Sequence, residues 1–517
     1  MTSSRTMGET EPLDPARELE LQFLARQKPM LEATARGNST VQQFYDGQKV
    51  FVTGGTGFLG KQLIEKLFRA TNVSKVFVLL RPKKGKAVEL RTNELLQDPV
   101  FEWVKEHRPK ALNKIVPIAG DVAEIRLGIS DKDWKMLSEE VNIIFHMAAT
   151  TRFDETLRVA TMINVRGARE ALILGKACKQ LKSYVHVSTA YSYACDNLID
   201  TEVLEDFYKA PIDPDTLIKM VESVDEARLN IISSIKEPSP GWLDMSNVYG
   251  ASGIILGPGI GLMHSFMARD DIHIGLVPVD YVNNAILAAA WETAKRVAAG
   301  HKTPKIYSVT ASTRNPTRWE IRRDYPTPAA VGWGFIWQTQ YHFVFLIYSW
   351  ILHLIPGHII DGICAILGKE RRYLKVFQKM YNMCSALAYF TTNQWRFVDD
   401  NTASLYDSLS TIDKEIFDFD VRKINWREYM HIWCLGLRKY IIKDGLKGTV
   451  YARKKQFVFK TLTYIIMPIY LFALFKIDKG ISFPVTGSGL ARCERPDPHH
   501  VNLRRLLREV DLERKEI

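Results

Sequence analysis

From residue 49 onward, short apolar runs alternate with longer stretches of helical period. The segments 49–53, 75–80, 114–119, 141–147 and 183–188 are rich in Val, Ile and Phe and lack polar alternation, the pattern of strands buried on both faces. Between them, 60–70, 86–96, 131–139 and 157–181 predict helices. Parallel strands joined through helices need right-handed crossovers, so residues 46–315 predict an α/β domain with a doubly wound parallel sheet.

Past Asn315 the pattern changes. Residues 341–355 are strongly apolar, a break is predicted at Pro356, and the apolar run resumes over 359–367. Each half is short for a membrane span, so 338–368 reads as a membrane-associated segment, either a hairpin dipping into the bilayer or a buried core helix. Residues 369–450 predict a small, mostly helical second domain. The segment 457–475 has the length of a transmembrane helix, although Lys460 and Pro468 interrupt it. The stretch 480–517 is a charged, Pro- and Arg-containing tail. Residues 1–45 are polar, without the apolar run of a cleavable signal peptide, and predict a mobile arm. No internal repeat is visible.

Bulk properties narrow the function. At 517 residues the chain exceeds one compact domain, and 46% hydrophobic with 25% charged residues is ordinary for a folded protein. The net charge of +11 suits an anionic membrane surface or a phosphorylated substrate. No stripe of Lys/Arg interleaved with stacking aromatics is present, so nucleic acid is not an expected partner. The basic residues cluster near apolar stretches, as at Arg453, Lys454 and Lys455. The 6 cysteines show no C-x-x-C spacing, so neither a metal site nor a disulfide framework is expected, and a reducing compartment fits.

The chemistry is concentrated after the first strand. Thr53-Gly-Gly-Thr-Gly-Phe-Leu-Gly60 joins that strand to the first helix. Gly54 permits a tight turn, Gly57 lets a pyrophosphate approach the backbone, and Gly60 lets the helix pack closely on the sheet. The helix start at Phe58 and Leu59 adds amide donors and a positive dipole end. This is the Rossmann arrangement for a dinucleotide. At the end of the second strand an acidic residue would bind the ribose hydroxyls of NAD; this chain has Arg81-Pro82-Lys83-Lys84 instead. Arg81 and Lys84 therefore predict a 2′-phosphate and NADPH as cofactor. Asp121 and Val122 follow the third strand, where the adenine edge should lie. Ala148 follows the fourth, where small residues let the cofactor cross.

Together these motifs resemble the extended short-chain dehydrogenases, and more closely the alcohol-forming fatty acyl-CoA reductases. The resemblance rests on TGGTGFLG, LLRPKKGK (79–86), HMAATTRFDE (146–155), NVRGARE (164–170, beginning at Asn164), VHVSTAYSYA (185–194), EPSPGWLD (237–244), VPVDYVNNAILAAAW (277–291) and INWREYM (424–430). It implies a long-chain fatty acyl-CoA substrate and two NADPH, the first hydride expelling CoA and the second reducing the aldehyde to a fatty alcohol. It also implies membrane lipid as a partner and a membrane location facing the cytosol, the endoplasmic reticulum or alternatively the peroxisome.

Short-chain dehydrogenases need a Ser or Thr after the fifth strand, here Ser188 or Thr189, and a Tyr-x-x-x-Lys helix beyond it. No tyrosine from Tyr184 to Tyr281 has a lysine four positions on. Tyr451 and Lys455 have the spacing but lie far from the dinucleotide region. After Val224-Asp-Glu-Ala227 the chain passes Asn230-Ile-Ile-Ser-Ser234 straight into Glu237-Pro-Ser-Pro-Gly-Trp242, where the family places the catalytic helix and the next parallel strand. An internal deletion near 227–237 is therefore expected, with loss of the proton donor and an exposed sheet edge. Three readings stand: an active reductase, an inactive NADPH-binding membrane relative, and another lipid or sterol dehydrogenase of the extended type.

Overall fold

A computed structural model describes residues 12–82, 88–150, 155–226, 228–229, 251–318 and 324–480. Lys84, the expected deletion at 227–237 and the tail 481–517 lie outside the described residues, apart from Arg228 and Leu229.

Among the described residues the sheet has five parallel strands in the order β3-β2-β1-β4-β5. They are β1 Lys49–Thr53, β2 Lys75–Leu80, β3 Ile115–Ala119, β4 Ile143–His146 and β5 Ser183–His186. Val50 stands opposite Val76 on one side and Ile143 on the other. The missing polar alternation has a direct cause. Val50 and Val52 enter one apolar core and Phe51 enters a second on the opposite face, and all three are fully buried.

The first helix after the sheet begins is Phe58–Ala70, and Leu63, Ile64 and Leu67 on it pack into the first core. The helix Val279–Ala298 lies across it and β5, contributing Leu287, Ala288 and Ala290. The expected helix over 157–181 is divided: Leu157–Ala160 passes into a π-turn at Thr161–Arg166 and then into Gly167–Ala177.

The expected mobile arm is corrected from Pro15 onward. Three helices, α1 Pro15–Ala25, α2 Lys28–Arg36 and α3 Thr40–Tyr45, are docked on the body. Their apolar contact is narrow (Ala16, Ala33, Val41 and Tyr45), so composition does not reveal it. Hydrogen bonds complete the attachment. The Tyr45 hydroxyl donates to the Leu287 carbonyl at 2.9 Å. The buried Asp413 carboxylate accepts from the Ser39 and Thr40 hydroxyls and the Val41 amide.

The helical region after residue 369 is not set apart as a second domain. Helices Tyr373–Thr392, Asp400–Ser408, Thr411–Ile416 and Trp426–Gly436 belong to one compact unit that runs to Thr461. Tyr406, Phe417 and Phe419 share the first core with the sheet, which is why no separate boundary forms. The expected break at Pro356 is also absent: helix His342–Ser349, a π-turn Trp350–Leu354 and helix Ile355–Ile366 follow without interruption. Proline is tolerated there because the wider π-turn just before it relieves the clash its ring makes in a regular helix. A final helix, Thr449–Gly480, carries both Lys460 and Pro468. Two helical stretches, His342–Ile366 and Thr449–Lys476, are long and apolar enough to cross a membrane.

Candidate active site

β1 ends at Thr53 and the chain turns through Gly54 at φ 72°, a left-handed value that favours glycine. A Cβ on Gly54 would stand 2.8 Å from backbone atoms of Met147 and Ala148. The turn is thus pressed against the end of β4, and Gly60 closes it from the helix side. A Cβ on Gly60 would lie 2.3 Å from the Gly54 carbonyl oxygen and 2.7 Å from Gly55 Cα. Gly57 differs. It is exposed, and a Cβ there would meet only the Gly54 carbonyl oxygen, at 3.2 Å. Gly57 is the N-cap of the helix Phe58–Ala70. The amides of Phe58, Leu59 and Gly60 follow it, with no earlier helical carbonyl to accept from them. The result is a floor without side chains and a set of amides with a positive dipole end, the features a dinucleotide pyrophosphate requires.

The strand order places this floor at the switch point, between β1 and β4, where open α/β sheets bind ligands. The buried Thr53 hydroxyl bonds His146 Nδ1 at 2.8 Å and accepts from the Met147 and Ala148 amides at 3.2 Å each. This locks the start of the loop carrying Ala148. Burial, and to a smaller degree His186, push His146 down to about 3, so its ring is neutral. Its Nε2 is buried and has no partner among the described residues. Farther along the loop, the Thr150 amide donates to the Asn164 side-chain oxygen at 2.8 Å and Asn164 Nδ2 donates back at 3.4 Å. Asn164 thus shapes this wall of the crevice.

At the ends of β2 and β3 the structure joins two expected site residues to each other. Arg81 Nε lies 2.7 Å from one Asp121 carboxylate oxygen, and its second nitrogen donates to the other at 3.0 Å. The Asp121 carboxylate also accepts from the Ala123 amide. Arg81 therefore meets any 2′-phosphate as one half of an ion pair, about half exposed at 53%. Arg91, which no motif in the sequence marked, donates to the Arg81 carbonyl and adds a second cation at this strand end. Val122 is buried against Gly167, where a Cβ would come within 2.9 Å of the Val122 carbonyl oxygen. It supports the wall by packing.

The far side of the crevice is less complete. The Thr189 hydroxyl accepts from the Tyr191 amide at 3.2 Å, opening the turn Ala190–Tyr193, and Ser188 before it is exposed. Strand β5 pairs with β4 and, among the described residues, with no strand beyond. Its burial shows the consequence: all four residues of β4 are buried, but in β5 only Ser183 is, and His186 is exposed.

Tyr191 follows Thr189 closely but is no substitute donor. It is caged edge-on by Phe390, Trp395 and Phe397, with ring centroids 4.9 to 6.0 Å away, and burial pushes its phenol up to about 12. A dehydrogenase tyrosine needs the opposite shift from a neighbouring lysine. Tyr451 is exposed on the helix Thr449–Gly480, and Lys455 donates to the Pro328 carbonyl. Tyr45 and Lys49 share the same spacing, but the Tyr45 hydroxyl is spent in the core.

Fold and crevice define a dinucleotide-binding protein of the doubly wound α/β class. Known proteins narrow this. A family described as "Male sterility protein" matches residues 52–227 and 223–286 in its NAD-binding part, and residues 352–444 in a second part under the same description. "Fatty acyl-CoA reductase wat" of Drosophila melanogaster is 33% identical, covering 86% of this chain and 96% of the fly protein. "Fatty acyl-CoA reductase 1" of Homo sapiens is 30% identical, covering 85% of this chain and 93% of the human protein. Among solved structures, the terminal R domain of a myxalamid biosynthetic pathway is 18% identical, with a TM-score of 0.45 over 76% of this chain and 92% of that domain. The chain belongs to the fatty acyl-CoA reductase family.

The alignments also carry a length difference. The fly alignment runs over 503 positions but draws on 86% of these 517 residues, about 445, so about 58 positions face no residue here. The human alignment, 491 positions against 85% or about 439 residues, leaves about 52.

Proposed function

We propose that the crevice binds NADPH and that its substrate is long-chain fatty acyl-CoA, reduced to the alcohol in two hydride steps. The observation that carries the reading is the glycine floor at the switch point: a cradle that any Cβ on Gly54 or Gly60 would fill, in a chain of this family. NADPH is favoured over NADH by Arg81 with Arg91 at the end of β2, in place of a lone acid. Bound nicotinamide supplies hydride. The residues supply the rest. Gly57, Phe58 and Leu59 hold the pyrophosphate, Thr53 and Asn164 set the loop through Ala148, and Thr189 with Ser188 presents hydroxyls toward the carbonyl oxygen. In the first step hydride adds to the thioester carbon and the C–S bond breaks, the departing thiolate taking a proton to leave as CoA thiol; the second adds hydride at the aldehyde carbon and a proton at its oxygen.

The second reading is a nucleotide-binding form that does not turn over. It is favoured by β5, half-exposed where the family's sheet continues, and by the 50 to 60 alignment positions without a counterpart. We place those positions at the segment near 227–237, where the two NAD-binding matches meet. A missing proton donor lowers the rate typically ~10² to 10⁴-fold. We also propose attachment to a cytosol-facing membrane through the helix Thr449–Gly480, with Arg453 to Lys455 on the cytosolic flank, at the endoplasmic reticulum or the peroxisome.

One experiment on the purified full chain separates the readings: NADPH titration by its own fluorescence, together with alcohol formation from palmitoyl-CoA. Binding with alcohol supports the reductase. Binding without alcohol leaves the second reading, and a longer transcript carrying Tyr-x-x-x-Lys would then identify the active form. No binding overturns both.

A further inference from the structure

We infer that the helical stretch from His342 to Ile366 is a membrane-docking surface that lies in the plane of an anionic bilayer and does not cross it. The inference rests on the reading that the chain is membrane-attached, and adds a second, differently built contact.

Length alone would allow a span: 25 residues rise about 37 Å against a hydrocarbon core of about 30 Å. Packing decides otherwise. Phe345, Ser349, Leu352, His353, Gly357 and Asp361 are buried on one side along the whole length. The Ser349 hydroxyl faces Ser265 at 3.4 Å, and His353 Nε2 accepts from the His264 amide at 3.1 Å. The Asp361 carboxylate accepts from the Tyr373 and Leu374 amides at 3.1 Å each, capping the next helix. The helix is thus packed near its start through Phe345 and bonded from Ser349 to Asp361 against a folded body. That body includes the two-stranded pairing of Ser265–Met267 with Trp337–Thr339. A span would carry this body and its irregular connections into the hydrocarbon region, where lipid-exposed loops do not occur.

The π-turn makes the arrangement possible. In a regular helix the sixteen steps from Phe345 to Asp361 rotate by a net ~160°, onto opposite sides. The turn at Trp350–Leu354 absorbs roughly one residue's ~100°, so both ends face the body.

The opposite side is apolar and open. Phe343, Trp350, Ile359, Ile363 and Ile366 are 72%, 60%, 56%, 51% and 87% exposed. Polar groups bonded inward and hydrocarbon presented outward invert a soluble helix. Charge selects the occupant: Lys369, Arg371, Arg372 and Lys375 are all exposed just past the helix, against one acid, Glu370. An apolar helix face bordered by cations fits the headgroup region of an anionic phospholipid surface.

The test uses the full chain bound to phosphatidylcholine vesicles with and without phosphatidylserine. In a full chain whose 6 native cysteines, Cys364 on this helix among them, are replaced by alanine, the single substitutions Phe343→Cys, Trp350→Cys, Ile359→Cys and Ile366→Cys carry a fluorophore, with Ile465→Cys as the reporter of the final helix. Lipids brominated at shallow or deep positions quench the label. The expected result is stronger quenching by shallow than by deep bromines at all four sites, increased by phosphatidylserine. A profile deepest at Trp350 and shallow at both ends means a span and overturns the inference. Four water-exposed labels with Ile465→Cys in lipid overturn it while leaving membrane attachment intact; water at all five overturns both. Equal quenching in the two vesicle types overturns the anionic preference.

Discussion

Two glycines three positions apart, Gly57 and Gly60, are expected to fail in different ways when substituted. Gly57 has φ −76° and ψ 171°, ordinary extended backbone, and its Cβ direction is open apart from one oxygen at 3.2 Å. Gly57→Glu should therefore fold, with a stability change within about 0.5 kcal/mol as for other surface positions. Its carboxylate would stand where the pyrophosphate has to lie. Two like charges about 4 Å apart at an effective dielectric near 20 repel by about 4 kcal/mol, roughly a thousand-fold in affinity. Gly60→Ala is the converse. Its Cβ would meet backbone of Gly54 and Gly55 at 2.3 and 2.7 Å, atoms that cannot rotate away. Overpacking of this kind costs about 1 to 3 kcal/mol, and here it also displaces the turn that forms the floor. Thermal melts of the detergent-solubilised chain, paired with NADPH titration, read both effects. A Gly57→Glu protein that melts normally and binds NADPH as tightly as the parent would falsify the assignment of the crevice.

Arg81→Ala should weaken NADPH by about tenfold, the loss of one charge-assisted contact, and leave NADH almost unchanged; an equal loss for both would show that Arg81 serves only Asp121. Asp413→Ala should destabilise the chain by about 3 kcal/mol at pH 7, because it strips partners from Ser39, Thr40, Val41 and Ser410. Burial pushes the Asp413 carboxyl up, but the hydrogen bonds from Ser39, Ser410, Thr40 and Val41 outweigh it, and the net shift is downward. A carboxylate lowered in the folded state contributes stability above its unfolded pKa of about 3.9 and loses it as pH falls through the folded value. The gap between parent and variant in urea midpoint should accordingly narrow below about pH 4, and a gap independent of pH would contradict the hydrogen-bond account.

The sheet and its crevice were legible in the sequence because both are local. Strands buried on two faces need continuous Val, Ile and Phe, and a turn pressed between β4 and the first helix tolerates only glycine at Gly54 and Gly60. That no tyrosine from Tyr184 to Tyr281 has a lysine four positions on is likewise a matter of spacing, read from the sequence alone. What the sequence hid depends on contacts between distant residues. The N-terminal helices read as an arm because one buried carboxylate 372 residues away, Asp413, does much of the holding. The pairing of Arg81 with Asp121 was hidden because the two stand at the ends of different strands. Residues 341–367 read as an interrupted apolar run because hydropathy averages over all sides of a helix. Only the fold, through a π-turn and three inward hydrogen-bonding groups, separates the side bonded to the body from the side left open.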